Sequence, residues 1–190
     1  MLFRSGLARE VAAITGAPLR AVSRALSESR VAVGDGLALK VGDSALAPRV
    51  VLRVVDGLKV GPSPDFVQMR LKAAGLRSVS NVVDATNYVM LELGKPTHAF
   101  DRSAVGATLT IRAAERGEQL ETLDHVTRAL DPADLVVADE RGVLALAGVM
   151  GGASSEVSAT TSSVIVESAI FSPGSVRRTA QRHKIGRAHV

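Results

Sequence analysis

Five polar side chains, Asn81, Asp84, Asn87, Glu92 and His98, are threaded through the apolar residues of one stretch, RSVSNVVDATNYVMLELGKPTHAFD (77–101). A buried amide or carboxylate without a partner costs roughly 1 to 3 kcal/mol, so each must join a hydrogen-bond network or face a ligand. His98 follows GKPT in a predicted loop, where a neutral imidazole could orient a water or move a proton near neutral pH. A further acid, Glu167, lies in VIVESAIF, whose neighbours are apolar apart from Ser168. Strand alternation puts Ile165 and Glu167 on one face and Val164 and Val166 on the other. A carboxylate so placed either accepts a hydrogen bond from a ligand or is an exposed or internally paired acid, and alternation leaves both open. The run GVMGG (148–152) supplies Gly148, Gly151 and Gly152, which let backbone approach a ligand or a neighbouring strand closely. Its spacing is neither a dinucleotide fingerprint nor a phosphate-binding lysine loop.

Other chemistries find no support. The chain has no cysteine, which excludes disulfides, thiolate metal sites and a cysteine nucleophile, and fits a reducing compartment such as the cytoplasm. No His, Asp and Glu set has zinc-type spacing, so no metal site is expected. His125, His183 and His189 carry no catalytic signal. No apolar run approaches the roughly 20 residues that span a bilayer, so no membrane role is expected. The net charge of +4 is concentrated: residues 172–190 hold Arg177, Arg178, Arg182, Lys184 and Arg187 and no acid, leaving 18 basic against 19 acidic residues elsewhere. Arg177, Arg178 and Arg182 are therefore either a local phosphate-facing patch or a solvated helix face.

The elements that must position these residues follow from local signals. Leu7, Val11 and Ile14 define a helix over 5–15, ended by Gly16 and Pro18. The alternation of VAVGDGLALKVGD around Gly34 to Gly36 resembles a hairpin, and VVLRVVDGLKV (50–60) reads as a strand. Ser63 and Pro64 predict an N-cap and first turn for a helix ending at Gly75. A second helix is expected after Ser80, ending at Gly94 with Pro96 barring continuation. Strands are expected at 108–114, 119–123, 134–139, 143–148 and 163–171, with a turn at 140–142. Ser172 and Pro173 open a final basic helix. The fold class is α+β: a β-rich core of stacked mixed sheets with a few short flanking helices.

Taken together, GLAREVAAITG (6–16), VGPSPDFVQMRLKAAGLR (60–77), NVVDATNYVMLELGKPTHAFD (81–101), LALAGVMGG (144–152) with SSEV (154–157), and VESAIFSPGSVRRTAQRH (166–183) resemble the tRNA-editing module of the bacterial phenylalanyl-tRNA synthetase β subunit, in order and spacing. The resemblance implies hydrolysis of tyrosine misattached to the phenylalanine tRNA. It implies that Asn87 and His98 are the catalytic, ester- and water-positioning residues, and that Gly148 and Gly151 form a glycine loop around the substrate. It further implies that Glu167 meets the phenolic hydroxyl and Leu123 packs on the ring. The implied partners are the 3′ end of tRNA(Phe) and, through a complete β subunit, the synthetase α subunit. No cofactor is implied for this stretch; ATP and Mg belong to the synthetic site of the complete enzyme. The alternative is a noncatalytic aromatic amino acid-binding, RNA-binding or structural module derived from the same subunit.

On the same resemblance, residues 1–48 are a lead-in from a preceding domain and residues 49–184 an editing-type domain that the family continues beyond this point. IGRAHV (185–190) is expected to be a non-native tail, since a sequencing-adapter oligonucleotide encodes that run. His125 stands where the family has a turn glycine and is expected to be strained if its φ is positive.

Overall fold

Local signals set most of the elements in a computed structural model of the chain, which describes residues 4–19, 28, 32–33 and 36–186. Helix α1 (Arg4–Thr15) ends at Gly16, yet its apolar stripe, Leu7, Val11 and Ile14, stays at least half exposed. Helix α2 (Asp65–Ala73) begins after Pro64, but Ser63 does not cap it. The buried Ser63 hydroxyl instead donates to Asp84 Oδ2 at 2.5 Å. Helix α3 (Asn81–Leu93) matches its signals: the Ser80 side chain accepts from the Val83 N–H, and Gly94 closes it in the left-handed region at φ 72°. Only a residue without Cβ takes that conformation at little cost. Helix α4 (Pro173–Arg182) starts at its proline.

The strands are β1 (Ala38–Val41), β2 (Arg49–Asp56), β3 (His98–Asp101), β4 (Thr108–Ala113), β5 (Gln119–Glu121), β6 (Thr127–Ala129), β7 (Leu135–Asp139), β8 (Gly142–Leu146), β9 (Met150–Gly151) and β10 (Ser163–Ile170). A mixed five-stranded sheet runs β1-β4-β7-β8-β9, with β1 parallel to β4 and the other pairs antiparallel. An antiparallel sheet runs β2-β10-β3, and β5 and β6 form a hairpin. The hairpin expected around Gly34 to Gly36 falls partly outside the described residues, and β1 pairs in parallel with β4 instead. Strand β3, expected as loop, is a correction: after Pro96 the extended chain finds a partner in β10, and that pairing satisfies its backbone.

The main core lies between the two larger sheets. Leu109, Ile111, Leu135 and Val137 come from the five-stranded sheet and Phe100 and Ile165 from the other, with Val50, Leu52 and Val54 of β2 packed against them. The fold is thus α+β. A second cluster gathers Leu120, Leu130, Val136, Leu146 and Ile185. Ile185, first residue of the stretch expected to be foreign, therefore packs in a core; residues 187–190 lie outside the described residues. His125 adopts φ 58°, where a side chain costs roughly 1 to 2 kcal/mol relative to glycine.

Candidate functional site

Two strands distant in sequence build the site. In the β3–β10 register Phe100 lies opposite Ile165 and His98 opposite Glu167, while on the other side of β10 Glu167 pairs with Leu52. Alternation keeps Glu167 on the face of Ile165, which is wholly buried. The acid is therefore inside, at 8% exposure, flanked by an imidazole and an aliphatic side chain. Burial pushes its carboxyl up to about 7, against the opposing charge of Lys95. His98 stacks edge-on against Phe100, centroids 4.4 Å apart at 86°, and burial lowers its imidazole to about 4, so it is neutral at physiological pH.

The glycine loop reaches the same place through one residue. A Cβ on Gly151 would lie 2.5 Å from His98 Cε1, 2.7 Å from Nε2 and 3.2 Å from Leu123 Cδ1. The Leu123 N–H donates to the Gly151 carbonyl at 3.0 Å, holding that side chain beside the glycine. Gly151→Ala must displace the imidazole, and is expected to cost about 1 to 3 kcal/mol and to shift the His98 ring resonances. Gly61→Ala, with nothing within 4 Å of its Cβ, is the control. Thermal melts and histidine NMR spectra check this; unchanged His98 signals in the folded Gly151→Ala protein would remove the contact.

Of the polar residues of α3, two are structural. Asn81 donates to the Lys59 carbonyl at 2.9 Å and accepts from the Gly61 N–H. Asp84, wholly buried, accepts from Ser63, Ser78 and the Val79 N–H, locking α3 to the segment before it. Asn87 differs: it is 5% exposed, and its Nδ2 has no partner among the described residues. Its helix packs against β3, the strand that His98 opens. An orphaned buried donor is the kind of group a ligand satisfies.

Not every expected residue converges. Gly148 has φ 70°, and its nearest side chains are Phe171 and Val176, so by these contacts it packs toward the start of α4 rather than onto His98. Gly152 serves the neighbouring strand, since its added Cβ would lie 2.6 Å from the Leu144 carbonyl. Arg177 and Arg178 are exposed on α4, whereas Arg182 turns inward to the buried Asp134, which also takes Thr179 and His183. Sequence reasoning missed Lys95, whose Nζ donates to the Ala169 carbonyl at 2.6 Å. Its only signal was a long cation just after the glycine that ends α3. Among the described residues no group of three His, Asp or Glu side chains could hold a metal, and no helix is long and apolar enough to cross a membrane. A cleft of about 420 Å³ lined by Gln119, Leu120, Glu121, Val143, Ala153 and Ser154 shares none of these site residues.

A family model described as the B3/4 domain matches residues 46–188. The phenylalanine–tRNA ligase beta subunit of Anaeromyxobacter dehalogenans is 50% identical over 94% of this chain and 22% of its own length. That of Rhodopirellula baltica is 47% identical over 95% of this chain and 27% of its length. The chain thus spans only 22% and 27% of the length of these two curated relatives. Among solved structures, an N-terminal fragment of the phenylalanyl-tRNA synthetase beta-subunit from Pyrococcus horikoshii shares the fold at a TM-score of 0.54 and 14% identity, covering 94% of this chain and 56% of that one.

Proposed function

Because the chain belongs to the B3/4 domain family, we propose that it is the editing module of a phenylalanine–tRNA ligase beta subunit, hydrolysing tyrosine esterified to tRNA(Phe). The observation that carries this reading is the pairing of Glu167 with His98 across the sheet, with Leu52 opposite the acid on the other side of β10 and Phe100 and Gly151 against the imidazole. A buried acid set among apolar side chains suits a substrate that is apolar except for one hydroxyl. Tyrosine differs from phenylalanine by that oxygen, and a site built to hydrogen-bond it can reject the analogue lacking it by about 10⁴ to 10⁵.

The roles follow from the chemistry of each group. Glu167, titrating near neutrality, engages the phenol as acceptor when ionised or as donor when protonated. Leu123 packs on the ring, and the backbone of the Gly148 to Gly151 turn holds the amino acid. His98 is too weak a base to take a proton efficiently at neutral pH, so it orients a water through its lone pair. The Asn87 amide donates to the ester. Positioning and local electrostatics suffice, because an aminoacyl ester is already activated and needs no nucleophilic side chain. In this reading Arg177 and Arg178 lie toward the tRNA, and the synthetase α subunit is met through the complete β subunit in the cytoplasm. ATP and Mg act at the synthetic site elsewhere in that assembly.

The test compares hydrolysis of tyrosyl- and phenylalanyl-tRNA(Phe) by a full-length β subunit carrying these residues in place of its own matching segment, assembled with its α subunit. Faster loss of the tyrosyl ester is expected. Binding of both amino acids without turnover would replace the reading with a noncatalytic aromatic-binding module, and neither binding nor turnover with a structural one.

A further inference from the structure

Lys95 stands between Gly94 and Pro96, in the turn that carries the chain from α3 into β3. Its Nζ donates to the carbonyl of Ala169, two residues beyond Glu167 on β10, at 2.6 Å. Three residues further along the chain, His98 opens β3 and pairs with Glu167. The ammonium is thus stapled to the strand that bears the acid, partly shielded from water. Of the other charged groups on the packed elements, Glu92 of α3, three residues before Lys95, makes no ion pair among the described residues, and Asp56 of β2 accepts from the Ser163 hydroxyl. On β2, Arg53 and Arg49 pair with Val166 and Ile170, and alternation puts Arg53 on the opposite face, exposed and bound to Glu28. On β3, the Asp101 carboxylate accepts from Ser103 and Thr161. On α3, Asp84 is spent on its serines, and His98 is neutral.

We propose that Lys95 is a positioning residue for Glu167: docked on the Ala169 carbonyl, two residues along β10 and on the same face of the strand as the acid, it fixes a positive charge that favours the carboxylate form. The inference rests on Glu167 being the group that meets the substrate, but it concerns the acid's charge and can be read without catalysis. Burial and the lysine oppose each other on this carboxyl, and their balance leaves it titrating near neutrality. Removing the cation leaves burial alone. At neutral pH the acid would then be mostly protonated, and recognition would lose its ionised form.

The experiment follows the Glu167 carboxyl by ¹³C NMR in the glutamate-labelled chain, with Glu167→Gln assigning the signal. Lys95→Met, which keeps the aliphatic stem, is expected to raise the Glu167 midpoint by about one pH unit or more, while Lys95→Arg leaves it near the parent value. Lys95→Gln, which retains a donor for Ala169 without the charge, should behave as Lys95→Met and serves where the latter does not fold. An unmoved Glu167 midpoint in a folded, uncharged variant overturns the proposal, whatever happens to hydrolysis. A moved midpoint with an unchanged pH profile of tyrosyl-ester hydrolysis in the full assembly keeps the role of Lys95 and instead removes Glu167 from the substrate.

Discussion

Glu167→Ala, in the assembled β subunit, is expected to lower kcat/KM for hydrolysis of tyrosyl-tRNA(Phe) by roughly 10- to 100-fold, the worth of a hydrogen bond to a charged group. Loss of discrimination, rather than loss of folding, is the mark of this change. The carboxyl is buried at 8% exposure with an opposing charge nearby and makes no hydrogen bond among the described residues, so its removal takes no described network with it. The residue that titrates near 7 could alternatively serve as the proton acceptor for the attacking water. The two roles separate on the substrate. A base is required for both esters, whereas a partner for the phenol matters only for tyrosine. Glu167→Ala should therefore slow tyrosyl-ester hydrolysis much more than the residual hydrolysis of the phenylalanyl ester. Equal slowing of both would assign Glu167 to the water, and unchanged deacylation would remove it from the site.

The second large effect is a pair of opposed pH dependences hidden in the parent protein. Glu167 is raised from 4.5 to about 7, so in the interval between those values the folded state holds a proton that the unfolded state has lost. Its contribution to stability is present below 4.5 and disappears as pH rises through 7. His98 is lowered from 6.5 to about 4, so between those values the unfolded state holds the extra proton. Its contribution is present above 6.5 and disappears as pH falls through 4. Between about 4.5 and 6.5 the two slopes have opposite signs and largely cancel. Glu167→Gln should uncover the histidine limb, losing up to about 3 kcal/mol as pH falls from 6.5 to 4. His98→Gln should uncover the glutamate limb, losing a similar amount as pH rises from 4.5 to 7. Urea melts of the parent and both variants across this range measure the differences, with the other carboxylates common to all three. Parallel profiles for parent and variants would show that neither group is held in its uncharged form.

How far the site could be read in advance differed from residue to residue. Ser80 and Gly94 announced the ends of α3 because capping is decided within a turn, and strand alternation placed Glu167 on the face of Ile165 correctly. The same local reading put His98 in a loop, because four residues after a proline carry no periodicity of their own; β3 exists only through its partner. Ser63 shows the converse failure. Its position before Pro64 satisfied the capping rule, but a buried carboxylate from the next helix, Asp84, took its hydroxyl. Among Asn81, Asp84 and Asn87, polarity set against an apolar background was visible from the start, whereas their division into two latches and one unpartnered amide was not. Gly148 and Gly151 looked alike in the glycine run, and they face different neighbours.

The amino-acid order by itself determined where helices and most strands begin and end, which groups are costly to bury, and, through its motifs, kinship with a tRNA ligase subunit, since capping, turn chemistry and side-chain periodicity act over a few residues. Tertiary structure alone decided that an acid late in the chain sits across a sheet from an imidazole in its middle, that a glycine turn closes on that imidazole, and that a lysine is pinned beside them. Those contacts join residues widely separated along the backbone. They are chosen by strand pairing and core packing, which depend on the whole chain at once rather than on any one segment.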